Sequence, residues 1–556
     1  MGLLTPKSPD FELVDWVQQP YAERVRMMCQ TWATQGFGAP PAIYAFYVVK
    51  IGLYVGGWLL FAALTPGLGG PSTIADWWAQ PLAFQKAVLW TLLFEGLGFG
   101  CASGPLTARY WPPVSAFLYF LRPGTTRLPP FRWVPFTRGH RRSVVDVTLY
   151  MAHVAVVVRA LLAPELTLAV LLPVAVVLPV LGLRDKTVFL ASRAEHYWVT
   201  VLVFLFAGDV LAGSKAVQLA IWWGAATSKL NHHFPGVLAI MVSNSPWMRS
   251  RAVKRMLYKR YPDDLRPSRI TSLLAHGGTA VEYTFPLILV LSTGGLSTTV
   301  ALAVMVTFHL YILTSFPMGV PLEWNVFFIY SALVLFGVHA DVRIWSIASP
   351  LLIVILLTWL VAMPLIGNLR PDKISFLPSM RYYAGNWATS LWLFRGEALF
   401  TLDQRLTKSA DTFMSQLSRF YDDLTIRGVV GRAFAFRSMH LHGRALNALL
   451  PQAVDDVEQY EVIDGELIAG VVVGWNFGDG HLHHEQLLAA VQAQCGFAPG
   501  ELRCIFLESQ PAHRTTLQWR IADAVDGQLS EGQVDVRDLL DRQPWDQSSL
   551  PGTLHV

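Results

Sequence analysis

The stretch IWWGAATSKLNHHFP places Lys229 at the end of an apolar, small-residue run, directly ahead of His232, His233 and the helix-breaking Pro235. A lysine taken out of water loses part of the stability of its charged form, which is how such side chains come to act as bases. The competing reading is an interfacial lysine whose stem lies in lipid while its ammonium reaches the headgroups. Adjacent histidines on a helix point about 100° apart, so His232 and His233 do not form the one-sided pair a metal needs. Further ionisable residues lie in or beside apolar runs: Glu95, Asp146, His153, Arg159, His196, Asp209, His276, Glu282, His309 and Glu323. At membrane depth each costs several kcal/mol, which makes each a functional candidate unless it pairs or snorkels. Asp146 and Arg159 read as anchors for the two ends of one helix.

These residues need a scaffold with lipid as its solvent. Of 556 residues 53% are hydrophobic and only 15% charged, and the mean hydropathy is +0.39, above the apolar share of an ordinary soluble domain. Apolar runs near the length of a membrane-crossing helix are expected at about 42–64, 83–101, 144–162, 166–183, 197–213, 216–229, 270–293, 298–316, 324–338 and 345–366. The predicted fold is a polytopic all-α membrane bundle of about nine to eleven transmembrane helices with a small α+β C-terminal soluble domain. The segment 231–245, interrupted by Pro235 and Gly236, reads as re-entrant or interfacial. The organisation expected is a juxtamembrane region over 1–41, the transmembrane domain over 42–366, a helical connection over 367–450 and the α+β domain over 451–556. Strand-like runs are expected near 501–509, 514–523 and 531–536.

Arginines and lysines gather in two loops, 102–143 (Arg132 among them) and 246–269, which places both in the cytoplasm together with the N-terminus. No cleaved signal peptide is read at the start of the chain. Cys29, Cys101, Cys495 and Cys504 have no CxxC spacing and read as reduced thiols. Nothing in the charge pattern suggests a nucleic-acid partner.

In GWNFGDGHLHHEQLL, Asp479, His481, His483 and His484 crowd a Gly-rich turn that opens a helix. Metal binding competes there with a plainer reading, in which Asp479 or a neighbour caps the helix and the histidines sit on its solvated first turn. No distant Cys or Glu suggests itself as a further ligand, so no metal is expected.

Four stretches, in order, resemble the vitamin K-dependent γ-carboxylase family and the horizontally transferred transmembrane domain it shares with bacterial relatives. They are DKT (Asp185 to Thr187) followed by EHYWVTVLVFLFAGD; WWGAATSKLNHHF; GGTAVEYTFPLILVL; and VTFHLYILTSFPMGVPLEW. They span roughly 140–340, about a third of the chain; taken whole, the chain is similar to an actinobacterial-type membrane family built on that core. The resemblance implies a carboxylase-like lyase or oxidoreductase of the bacterial cytoplasmic membrane. It makes Lys229 the base that deprotonates a menaquinone or vitamin K hydroquinone, sets His196 at the same centre, and gives His309 a site-shaping role. Glu282, His232, His233, Tyr197 and Trp223 then become candidate substrate contacts. The carboxylase's propeptide-gripping domain has no counterpart here, so the acceptor differs from a protein glutamate. The alternative is a non-catalytic lipid-binding or quinone-binding, or transport, protein whose C-terminal domain recruits a protein partner.

Overall fold

The computed structural model of the protein describes residues 2–113, 116–131, 133–315, 322–382 and 384–550; Arg132 and the 316–321 part of the last carboxylase-like stretch lie outside them. Five helices are long and apolar enough to cross a membrane: Pro41–Ala63, Val144–Leu162, Arg269–Leu291, Gly295–Ser315 and Pro350–Leu369. Their ends follow from local chemistry. Pro41 occupies the first helical position, where its missing N–H costs nothing. Ser143 and Asp146 cap Val144–Leu162 reciprocally, the Asp146 carboxylate accepting from the Ser143 N–H at 2.6 Å. Asp146 is also paired with Arg184 and Arg127, whereas Arg159, at the other end, is exposed. Charge pairing thus fixes the Asp146 end of the helix.

The other expected spans have different bounds in the structure, and most are too short to cross a membrane by themselves. The 83–101 run is Pro81–Gly96 and the 166–183 run is Leu168–Arg184. The 197–213 run breaks after Tyr197–Phe204 at a turn around Asp209, whose carboxylate accepts from the Ala348 and Ser349 N–H groups at 2.8 and 3.0 Å. The 216–229 run is the second part of one longer helix, Val210–Ser228. Phe234–Asn244, the segment read as re-entrant, is an 11-residue helix and too short to span. Leu322–Val338 completes the set of shorter apolar helices.

We label the helices that build the site α1 (Val210–Ser228), α2 (Phe234–Asn244), α3 (Arg269–Leu291), α4 (Gly295–Ser315) and α5 (Leu322–Val338). α1 packs on α3, α3 on α4 and on α2, and α4 on α5.

Past the bundle, five antiparallel strands form one sheet in the order Tyr460–Asp464, Thr389–Arg395, Leu502–Leu507, Thr516–Asp523, Gly527–Asp535. The last three strands match the expected runs. The second comes from the 367–450 stretch read as a helical connection, and it is buried on both faces, as a run reading TSLWLFR between two neighbours should be.

One face of the bundle carries everything outside it. The N-terminal helix Tyr21–Gln35 docks on Asp423–Ser438, with Trp32 against Phe436 and the Tyr21 hydroxyl donating to Asn447 at 3.0 Å. The 102–143 loop meets the C-terminal domain through Arg109, bonded to Ser409, and through Pro129, whose carbonyl accepts from Gln486 at 2.9 Å. The 246–269 loop does so through the Leu265 N–H, donated to Gln543 at 3.1 Å. Both basic loops, the N-terminal helix and the C-terminal domain therefore share one side.

Candidate functional site

A cavity of about 460 Å³ lies among α1 to α5, where the bundle meets the C-terminal domain. Its wall is mostly aromatic and aliphatic: Trp222, Phe234, Val237, Met241, Phe308, Ile312, Trp324 and Phe328 among others. Lys229, Glu282 and His309 bring the titratable groups to it. Tyr382 and Phe477, from the segments after the bundle, close it on the domain side.

Each polar residue arrives by a separate route. Lys229 is the cap at the end of α1. The small-residue face that precedes it lets the chain around Met380 lie directly against the helix, since a Cβ on Gly224 would come within 2.6 Å of the Met380 Cβ. Ser228 secures this contact by donating to the Met380 carbonyl at 2.9 Å. Glu282 lies 13 residues past Arg269 in α3, about 20 Å along the axis at ~1.5 Å per residue, well inside the membrane-crossing part. Lys229 and Glu282 form an ion pair in which the ammonium contacts both carboxylate oxygens, and the ammonium also lies 5.4 and 5.5 Å from the ring centres of Phe234 and Phe308. Neither the free base nor the interfacial lysine describes this arrangement; it is the third case open from the sequence, a closed pair with Glu282, which on its own favours a structural role. The lysine is buried yet not free, and it is held by a carboxylate rather than reaching for headgroups.

His309, on α4, accepts from the Trp222 indole at 3.0 Å through Nε2, and its Nδ1 lies 2.9 Å from Asn325 Oδ1. With one nitrogen accepting, the other carries the proton and donates to Asn325, which defines the tautomer. The ring stacks on Phe328 at 5.0 Å.

His196 stands one layer behind the wall. It is not among the lining residues, but its Nδ1 accepts from the Trp324 indole at 3.2 Å and its ring lies 5.2 Å from Phe328. The two histidines therefore share Phe328 as a common neighbour. Tyr197 stacks on His196 at 4.4 Å and is buried away from the cavity.

The remaining expected contacts do not line the cavity. His232 is exposed. His233 turns toward the C-terminal domain, with Nε2 2.9 Å from Gln510 and its ring 4.8 Å from that of His442. Trp223 faces a separate apolar groove of about 680 Å³ with Trp345 and Leu360, while its neighbour Trp222 reaches the cavity. A rotation of about 100° between consecutive helical residues decides which of the two tryptophans serves the site. Sequence reasoning missed Trp222, Asn325, Trp324, Tyr382 and Phe477. For Trp222 the signal was present, because it lies seven residues before Lys229, on the same helical face.

The histidines of the C-terminal domain also depart from expectation. His481, His483 and His484 are not on a solvated first turn: His483 and His484 are fully or nearly buried, and His481 is half-buried. Asp479 caps only the short turn Gly480–Leu482, accepting from the His481 N–H at 3.2 Å, and His484 itself precedes the helix Glu485–Cys495. A distant glutamate does join them, since His481 Nε2 lies 3.2 Å from both oxygens of Glu508. Burial opposes the Glu508 carboxylate, but the charge and hydrogen bond of His481 outweigh it and hold the carboxyl below its usual range. Burial pushes His484 down to about 4, so that ring is neutral at pH 7.

A helical bundle with apolar membrane-length segments, a mostly apolar cavity and a mixed α and β region on one face defines a polytopic membrane protein. The chain belongs to the family described as "Transmembrane protein of unknown function (DUF3556)", which matches residues 1–555. No curated protein and no solved structure matches the chain. The likeness to the carboxylase rests on the four sequence stretches alone.

Proposed function

We propose that this protein binds an amphiphilic membrane molecule in the cavity, its polar head against Lys229, Glu282 and His309 and its apolar part along the aromatic wall. The observation that carries this reading is the placing of a charged pair on the wall of an otherwise apolar cavity of about 460 Å³, a size suited to a small ligand or the head of a larger one. Entry from the bilayer fits the same wall. Leu274 on α3 and Tyr311 on α4 line the cavity and are 57% and 44% exposed, so the gap between these helices faces the lipid side. An isoprenoid quinol is the ligand class suggested by the carboxylase-like stretches.

The second reading is quinol chemistry with Lys229 as base. It is favoured by one observation: Lys229, Glu282 and His309, three of the residues to which the resemblance gives a part, meet at one water-poor wall. In that scheme Glu282 holds the lysine in place and takes part in returning its proton. The ion pair favours binding over base catalysis, because the Lys229 nitrogen is already held against both Glu282 oxygens rather than free to meet a substrate proton. The basic loops on the domain side argue for a cytoplasmic face there, with the N-terminus, in a bacterial cytoplasmic membrane. A protein partner would meet the C-terminal domain on that face.

The test is lipid extraction and mass spectrometry of purified wild type and Lys229→Ala after incubation with reduced menaquinone and oxygen. A lipid that co-purifies with wild type and is depleted in the variant, with the quinone unchanged, supports binding. Lysine-dependent formation of a quinone epoxide establishes the base reading. The same lipid content in both proteins, with no epoxide, removes both.

A further inference from the structure

We propose a second site, in the C-terminal domain: a divalent first-row transition ion held by His481, His484 and Glu508. One ligand atom from each of these residues lies within 4.8 Å of the others, a spacing that a single ion between them closes. Two imidazoles and one carboxylate, with room for water, is the donor set that suits zinc or iron among the biological divalent ions.

The three residues converge from separate parts of the chain. His481 and His484 are three apart on the turn that opens Glu485–Cys495, and Glu508 follows directly on the strand Leu502–Leu507. His484 packs on Phe506 of that strand at 5.3 Å. The independent observation is the state of the polar atoms. His484 is 6% exposed, and its Nε2 is buried without a hydrogen-bond partner among the described residues, as are Asp479 Oδ2 and both ring nitrogens of His442. An unpaired buried polar atom costs about 1–3 kcal/mol, so several within one small region point to a ligand that would satisfy them.

A second cluster of suitable residues, Glu95, Cys101 and Glu323, also has oxygens without a hydrogen bond, Glu95 Oε1 and Glu323 Oε2, but differs in what stands at its centre. There Lys50 sits 2.9 Å from Glu323 and Arg193 bonds Cys101 Sγ at 3.3 Å, so protein cations already occupy the place of an ion. At Glu508 no lysine or arginine forms an ion pair among the described residues; its charged partner is His481, itself a proposed ligand, which gives up its proton when it binds the ion. Of the nearby cations, Lys186, bonded to the His481 carbonyl at 2.8 Å, faces Asp479, Arg381 faces both Asp479 and Glu508, and Arg520, near Glu508, is paired with Glu485.

The test uses the full chain in detergent, stripped with a chelator and titrated with Zn²⁺, with Co²⁺ as a spectroscopic probe. Wild type is expected to bind one equivalent of Zn²⁺, and Co²⁺ to give visible ligand-field bands of a low-coordinate site. His484→Ala and Glu508→Gln are each expected to weaken Zn²⁺ by at least about tenfold, given that even outer contacts of a metal site cost that much. Thermal melts identify a variant that fails to fold, and the Co²⁺ spectrum of wild type tests the site without any variant. Zn²⁺ binding unchanged in both folded variants, or wild type with neither stoichiometric Zn²⁺ nor Co²⁺ bands, overturns the proposal.

Discussion

Two of the buried charge groups of the bundle differ in what faces them. Lys229 and Glu282 line a cavity, whereas Lys50, Glu95, Cys101, Arg193, Glu195 and Glu323 line none of it and are packed against one another. In the closed group each ion has further support: the Lys50 ammonium donates to the Gly100 carbonyl at 2.8 Å, Glu95 accepts from the Cys101 N–H at 2.8 Å, and Arg193 lies 4.1 Å above the Trp324 ring. The open pair has one partner each and two aromatic rings. The same residue types within one bundle thus serve two purposes. Where charges are packed against one another and against ring faces, they hold helices together; where part of their surface faces a void, they are available to a ligand.

Four experiments break or sharpen this contrast. Glu323→Leu should carry the largest effect, about 3–5 kcal/mol of stability, because it leaves Lys50 as an uncompensated buried charge. A detergent melt of the single variant against Lys50→Met with Glu323→Leu checks it, with the double variant recovering much of the loss. Lys229→Met should act mainly on ligand: retention of the co-purifying lipid falls by roughly tenfold or more, equivalent to about 1.4 kcal/mol, with a smaller change in melting than Glu323→Leu. If Lys229→Met melts as low as Glu323→Leu, the two groups are alike and the contrast fails.

Trp324 joins the groups, since it lines the cavity, covers Arg193 and donates to His196. Trp324→Phe removes that donor at a cost of about 1 kcal/mol. A double-mutant cycle with Lys229→Met measures whether the groups are coupled, with an interaction of at least about 0.5 kcal/mol expected for sites sharing a wall. The smallest effect is predicted for Trp223→Phe, which should leave lipid retention unchanged, whereas Trp222→Phe, which loses the bond to His309, should lower it.

Much of the bundle was legible because hydropathy is a local property. The five long spans, the helix ends marked by Pro41 and by Ser143 with Asp146, and the last three strands all follow from windows of a few to about twenty residues. Lys229, Glu282 and His309 were legible as ionisable residues in apolar surroundings. A pair between Lys229 and Glu282 could be named as one case, but that it forms was not legible, since 53 positions separate them and only the packing of α1 on α3 brings them together. The strand Thr389–Arg395 was missed for a related reason, because an all-apolar run bears no period that tells helix from strand.

The sequence by itself determined that this chain lives in a membrane, which residues are costly there, and that a mixed α and β domain follows the bundle, because transfer free energy and periodicity are carried by neighbouring residues. Tertiary structure alone decided which charges pair, that Trp222 rather than Trp223 meets the cavity, that Tyr382 and Phe477 close it, and that Glu508 stands beside His481. Those outcomes depend on helix rotation and on contacts between distant segments, and a side chain a few ångströms from its partner in space carries no mark of that partner in its own stretch of chain.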